Sequence, residues 1–193
     1  MARLTPAAAV FPTVLALLGG APAAAQEWSS VGLGAASVTS PNLPPQAGDT
    51  FGVALISEAS QGHSDLDKDG DATDLVPFVV DSSGALTNLG LAVYPYSWYR
   101  GVAGDAFLFA AHEGFSGGQD LNGDGDDDDE VLHLYTSRDG RVVDLRVAVD
   151  GFLAGEPLSV LLVPEWGQGG VDLTATATSG IVSSTCSTRG RES

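Results

Sequence analysis

The chain is poor in several things. It has one cysteine, Cys186, so no disulfide can form within it. An exported chain of this size without disulfides relies on a good core or on another staple, of which bound metal is one. Basic residues are equally scarce. Eight Lys and Arg stand against 25 Asp and Glu, for a formal net charge of −17. Nucleic-acid recognition needs a basic face to meet phosphate, and eight cations among so many acids cannot build one. Long apolar runs are missing after the first 25 residues, so no later segment reads as a membrane span. No apolar pattern of period 3.6 is sustained, which argues against long helices.

What is present is organised. Met1-Ala2-Arg3 gives a short basic start, Ala7 to Leu18 an apolar run, and Ala23-Ala24-Ala25 small residues suited to cleavage. This is the layout of a secretory signal peptide, with cleavage expected near Ala25 and an uncleaved anchor as the alternative. The expected location is secreted, periplasmic or at the cell surface. The 25 glycines and the lean towards Val, Leu and Ala suit short strands and tight turns.

The acids are clustered. Twelve of the 25 fall in two short stretches, 65–74 and 120–130, and these stretches belong to a repeat. The first copy reads Asp49-Thr50-Phe51, Glu58, then Asp65-Leu66-Asp67-Lys68-Asp69-Gly70-Asp71. The second reads Asp105-Ala106-Phe107, Glu113, then Asp120-Leu121-Asn122-Gly123-Asp124-Gly125-Asp126. Asp120 follows Asp65 by 55 positions, and each acidic run starts seven positions after its Glu. Strand-like segments flank each loop: 51–57 and 76–80 in the first copy, 106–111 and 131–135 in the second, with further candidates at 86–93 and 142–149. Residues 31–36 resemble the end of a unit. The expected organisation is a signal peptide (1–25), the start of the array (26–48), repeat 1 (49–104), repeat 2 (105–150) and a partial repeat 3 (151–173).

The third copy begins with Leu161-Leu162-Val163-Pro164-Glu165 and Asp172-Leu173, again seven positions after its Glu. Then Thr174 to Ser193 loses the pattern. Codons for these residues can be chosen so that the frame starting at the third base restores a Gly-Asp-Gly-Asp loop and a Val-Leu-His-Val strand. Loss of one base from an Asn codon after Leu173 would give the present frame. Residues 174–193 are therefore expected to be a frameshifted tail; a low-complexity Thr/Ser tail is the alternative.

The loops carry the chemistry. Calcium takes six to eight oxygen ligands, and side chains at alternate positions of a tight loop converge on one point. Positions 1, 3 and 5 are Asp65, Asp67 and Asp69, or Asp120, Asn122 and Asp124; a Gly at position 6 permits the sharp turn. Asp71 and Asp126 follow at position 7, and Asp74 and Asp129 are placed to close the shell. Calcium is the expected ligand, with solvated acidic turns as the alternative. EF-hands are not indicated, because Val76 and Val131 stand at position 12 where a bidentate Glu belongs.

The loops resemble those of integrin-type (FG-GAP) calcium-binding β-propeller repeats, here of a bacterial secreted type. That family inserts DxDxDG between two strands of a blade, and the likeness covers roughly residues 49–173. Dockerin repeats share the string at 120–126 but place it on helices. The family's closing Asp stands at position 9, where this chain has Thr73 and Asp128. The resemblance implies an all-β fold of tandem propeller-like blades, about two and a fraction of them. It implies a secreted scaffold for extracellular binding or surface structure, with an unknown ligand or further repeats as partner. A piece of a larger propeller enzyme, or a nonfunctional fragment, is the alternative.

Other signals compete less well. Glu58, Glu113 and Glu165 are either ligands, supports for ligands, or strand-end residues facing solvent. Gly114-Phe115-Ser116-Gly117-Gly118 matches a nucleophile elbow, but it leads into an acidic loop and the serine does not recur, Gln61 and Gln168 being its counterparts. His63, His112 and His133 lack metal-ligand spacing. Tyr94, Tyr96, Trp98 and Tyr99 are read as packing rather than a sugar platform. No catalytic constellation is visible.

Overall fold

A computed structural model describes residues 46–94, 100–156, 158–175 and 181–187. The segment expected as a signal peptide (1–25), residues 31–36, and Tyr96, Trp98 and Tyr99 lie outside them. The described chain is all-β, with antiparallel strands joined by turns and by the longer acidic loops.

Three sheets follow one another along the described residues. The first holds β1 (Gln46–Ala47), β2 (Phe51–Ser57), β3 (Leu75–Asp81) and β4 (Leu86–Asn88), in that order. The second holds β5 (Arg100–Ala103), β6 (Ala106–His112), β7 (Glu130–Thr136) and β8 (Arg141–Ala148), also in chain order. The third holds β9 (Gly151–Leu153), β10 (Leu158–Pro164) and β11 (Ile181–Ser187). Each acidic loop bridges two adjacent strands, β2 to β3 or β6 to β7, as the flanking Val- and Phe-rich runs require. The registers agree: Ser57 pairs with Leu75 and His112 with Glu130, so the loops leave and return at equivalent points.

Packing explains why β6 is an unbroken apolar run. Phe107, Phe109 and Ala111 on one face join Phe51, Val53, Leu55 and Val79 of the first sheet in one core. Ala106, Leu108 and Ala110 on the other face join Leu161 and Val163 of the third sheet in a second core. A strand covered on both faces has no use for alternation. The Phe51 and Tyr135 rings meet edge-on at 5.7 Å across the first of these interfaces. Each large side chain so buried contributes about 1.5–3 kcal/mol. The sheets are thus stacked face to face, in an open row among the described residues.

On β10 the pattern changes to alternation. Ser159, Leu161 and Val163 are buried, and Leu158, Val160 and Leu162 are exposed. Those exposed positions match Phe51, Val53 and Leu55 of β2, and Ala106, Leu108 and Ala110 of β6, which the next sheet covers. Within residues 174–193, read from sequence as without repeat character, β11 pairs with β10 over seven residues, from Leu158 with Ser187 to Pro164 with Ile181. Ile181, Val182 and Thr185 are β-branched, and the free edge of β10 offers a ladder for them to extend.

Candidate metal centre

Each loop is built on the buried Glu that precedes it. Glu58 follows β2, and its backbone N–H donates to the Asp74 carbonyl at 3.0 Å. Its side chain is fully buried. The carboxylate accepts from the Leu66 N–H at the start of the loop, and from the Asp74 N–H at its end at 3.1 Å. Glu113 repeats this with Leu121 N–H at 2.7 Å and Asp129 N–H at 3.0 Å. Glu165 accepts from Leu173 N–H at 2.9 Å and Thr174 N–H at 3.0 Å. All three are fully buried, which excludes the solvent-facing alternative; Glu58 and Glu113 hold their loop ends together, and Glu165 holds the start of its loop. A single 3-10 turn follows each Glu and ends on a left-handed glycine, Gly62, Gly117 or Gly169.

Inside the first loop, acids at alternate positions cap the backbone two or three residues on. Asp65 Oδ1 accepts from Lys68 N–H at 2.6 Å, Asp69 Oδ1 from Asp71 N–H at 2.9 Å, and Asp71 Oδ1 from Thr73 N–H at 2.9 Å. Gly70 at φ 109° and Gly125 at φ 110° take a conformation that L side chains rarely adopt, which accounts for glycine at position 6.

These turns leave the outer carboxylate oxygens converging. Three overlapping groups form in loop 1: Glu58, Asp65 and Asp67; Glu58, Asp71 and Asp74; and Asp67, Asp69 and Asp74. Within each group the oxygens lie within 4.8 Å of one another. At that separation two carboxylates repel by roughly 3 kcal/mol at an effective dielectric of about 20. Asp74 is 7% exposed, and its Oδ2 has no hydrogen-bond partner. Asp67 Oδ2 is likewise buried without one. Burial, then Asp71, Asp69, Asp67 and Glu58, push the Asp74 carboxyl up to about 7; burial, then Asp69 and Glu58, push Asp67 to about 6. Each of the five residues expected at this site from sequence falls in at least one of these three groups, and Glu58 falls in two of them.

Loop 2 is more self-contained. Glu113, Asp126 and Asp129 form its one such group among the described residues. Burial, then Asp124, Asp126 and Glu113, raise the Asp129 carboxyl to about 7, against an opposing hydrogen bond from Asn122. Asp120 is spent on the backbone, accepting from Gly123, Asp124 and Gly125 N–H groups. Asp124 Oδ2 accepts from Gly169 N–H of the third sheet's turn at 2.7 Å. In the third loop Asp172 is the only described acid after Glu165, and no group of three forms there among the described residues.

The donor set is oxygen only, and its buried, unpartnered carboxylate oxygens fit a hard divalent cation.

Ser116, His112 and His133 have structural partners. Ser116 is buried, with its hydroxyl oxygen 3.3 Å from the Ala92 N–H it accepts, in a 3-10 turn and not a strand-to-helix elbow. His112 stacks against Tyr94 and meets Phe115 at a tilt. His133 is buried against Phe109, with Nδ1 2.9 Å from the Val131 carbonyl. No family model, curated protein or solved structure matches the chain.

Proposed function

We propose that this chain is an exported, calcium-stabilised β-repeat scaffold of the integrin-type (FG-GAP-like) propeller kind, used for extracellular binding or surface structure. In this reading each four-stranded meander is a blade, and the loop between its second and third strands is a calcium site. Asp65, Asp67, Asp69, Asp71 and Asp74 serve the first site; Asp120, Asn122, Asp124, Asp126 and Asp129 serve the second. The observation that carries it is Asp74 Oδ2, buried and unpartnered among carboxylates. A native chain rarely leaves such an atom unsatisfied unless an ion or water belongs there. The basic, apolar and small-residue succession at 1–25 supports export, where calcium is plentiful.

Ion binding to the folded state alone stabilises it by about 2.7 kcal/mol at a hundredfold excess over Kd. Calcium should therefore raise the melting temperature of the full chain in a concentration-dependent way, and a chelator should reverse it. A melting temperature unmoved at millimolar calcium would refute the proposal.

A further inference from the structure

The two acidic loops differ at position 3, and the difference falls on the unpartnered oxygens. In loop 2 that position is Asn122. Its Oδ1 accepts from Asp124 N–H at 3.1 Å, and its Nδ2 donates in two directions. One bond goes to Asp129 Oδ2 at 3.0 Å, the other to the Gly167 carbonyl in the third sheet's turn at 2.9 Å. Every polar atom of the amide is used, and Asp129 Oδ2 is satisfied from within the protein.

In loop 1 the counterpart is Asp67. Its Oδ1 is 3.4 Å from Asp69 N–H, the same turn as in loop 2. In place of the Asn122 amide nitrogen it carries a second carboxylate oxygen, which cannot donate when ionised. Asp67 Oδ2 and Asp74 Oδ2 are both buried without a hydrogen-bond partner, and both residues belong to the same oxygen group with Asp69. Where loop 2 has a satisfied contact, loop 1 thus has two buried carboxylate oxygens without partners, on residues whose carboxylates converge. Loop 1 also offers three overlapping carboxylate groups where loop 2 offers one, among the described residues.

Resting on the calcium reading above, we infer that the two loops are unequal: a divalent cation between Asp67 and Asp74 is required by loop 1, while in loop 2 the Asn122 amide stands in for it. Loop 1 is then the tight calcium site and loop 2 the weak one. The junction between the second and third sheets is held by the Asn122 bond to Gly167 with or without the ion. Ligand charge count and site rigidity move calcium affinities over decades in other oxygen sites, so one added or removed carboxylate is enough to reorder two loops.

A reciprocal exchange in the full chain tests this. Wild type, Asp67→Asn and Asn122→Asp are titrated with calcium chloride by calorimetry, and each is melted in excess chelator. Both substitutions preserve side-chain size, and the chelator melts verify folding. The expected wild-type isotherm has one tight ion and a second at least about tenfold weaker. Asp67→Asn removes the tight ion, and Asn122→Asp brings the second to comparable affinity. In chelator Asp67→Asn melts higher than wild type, because the new amide satisfies Asp74, and Asn122→Asp melts lower. Two equal ions in wild type, or an unchanged second site in Asn122→Asp, would overturn this inference while leaving the calcium reading intact. No calcium bound by any of the three would overturn both.

Discussion

Replacing Glu58 by Gln separates the two jobs that this residue combines. Its carboxylate accepts backbone N–H groups from both ends of loop 1, Leu66 and Asp74, in a fully buried setting. A glutamine of the same size can accept only one of them, and its amide then confronts the other donor. Hydrogen bonds to a charged acceptor are worth about 1.5–3 kcal/mol each, and a buried donor left over costs about 1–3 kcal/mol. The same exchange removes one negative charge from two of the three carboxylate groups of the loop. Without calcium, losing that repulsion offsets much of the hydrogen-bond loss, since a pair at such separations is worth roughly 3 kcal/mol. With calcium bound the repulsion is already cancelled, and the full loss is felt. Glu58→Gln should therefore lower the melting temperature by about 4–8 °C in calcium, the equivalent of roughly 2 kcal/mol for a chain of this size. In chelator the shift should be much smaller. Glu165→Gln is the internal control. Its carboxylate holds the Leu173 and Thr174 N–H groups in a loop with a single described acid, so its cost should not depend on calcium. Differential scanning calorimetry of the three proteins in calcium and in chelator measures all of this. Equal losses for Glu58→Gln in both buffers, or a larger loss in chelator, would refute the reasoning.

Further outcomes follow from the same geometry. Asp74 and Asp129 sit at about 7 in the folded chain, above their ordinary carboxylate value, so they bind protons more tightly folded than unfolded. That contribution is full at low pH and lost as pH rises through 7, so the chelated protein should melt higher at pH 6.5 than at pH 8. His112 and His133 are lowered by burial, so the unfolded chain takes up their protons first; they oppose this from around 6.5 downward and reduce the gain at pH 6.5. In excess calcium the trend should reverse, since protons compete for the ligands; a pH series of melting curves checks both signs. Gly125→Ala forces a side chain to φ 110° and should cost about 1–3 kcal/mol by chemical denaturation, although nothing crowds its Cβ. Leu108→Ala, inside the second core, should cost about 2–5 kcal/mol, and Leu162→Ala on the exposed face within about 0.5 kcal/mol. A large loss for Leu162→Ala would show that its face is covered in solution.

The strands beside the loops were legible because they are unbroken Val, Leu, Phe and Ala runs bounded by acids. The expected 51–57 and 106–111 became Phe51–Ser57 and Ala106–His112, and 76–80 became Leu75–Asp81. The candidate at 86–93 divides. Only Leu86–Asn88 continues the ladder, Gly90 at φ 70° turns the chain, and Val93 returns as a single bridge to Leu75. Strand β5 had no signal, since Arg100-Gly101-Val102-Ala103 lacks a run long enough to show a period. At the site, the alternate acids were readable from the side chains that converge. The role of Glu58, Glu113 and Glu165 was not, because their partners are backbone N–H groups, which no side-chain pattern displays. The one trace was their constant seven-residue lead over the loop. Asn122 is legible as an oxygen donor at position 3; that its Nδ2 also donates across to the next sheet is a contact no side-chain pattern displays.

The most direct test of the central claim is a crystal structure of the protein grown in calcium. An ion should appear in loop 1 at about 2.4 Å from Asp74 Oδ2, with oxygens of Asp67 or Asp69 in the same shell. A loop 1 that holds only water at Asp74 Oδ2 in saturating calcium would contradict it.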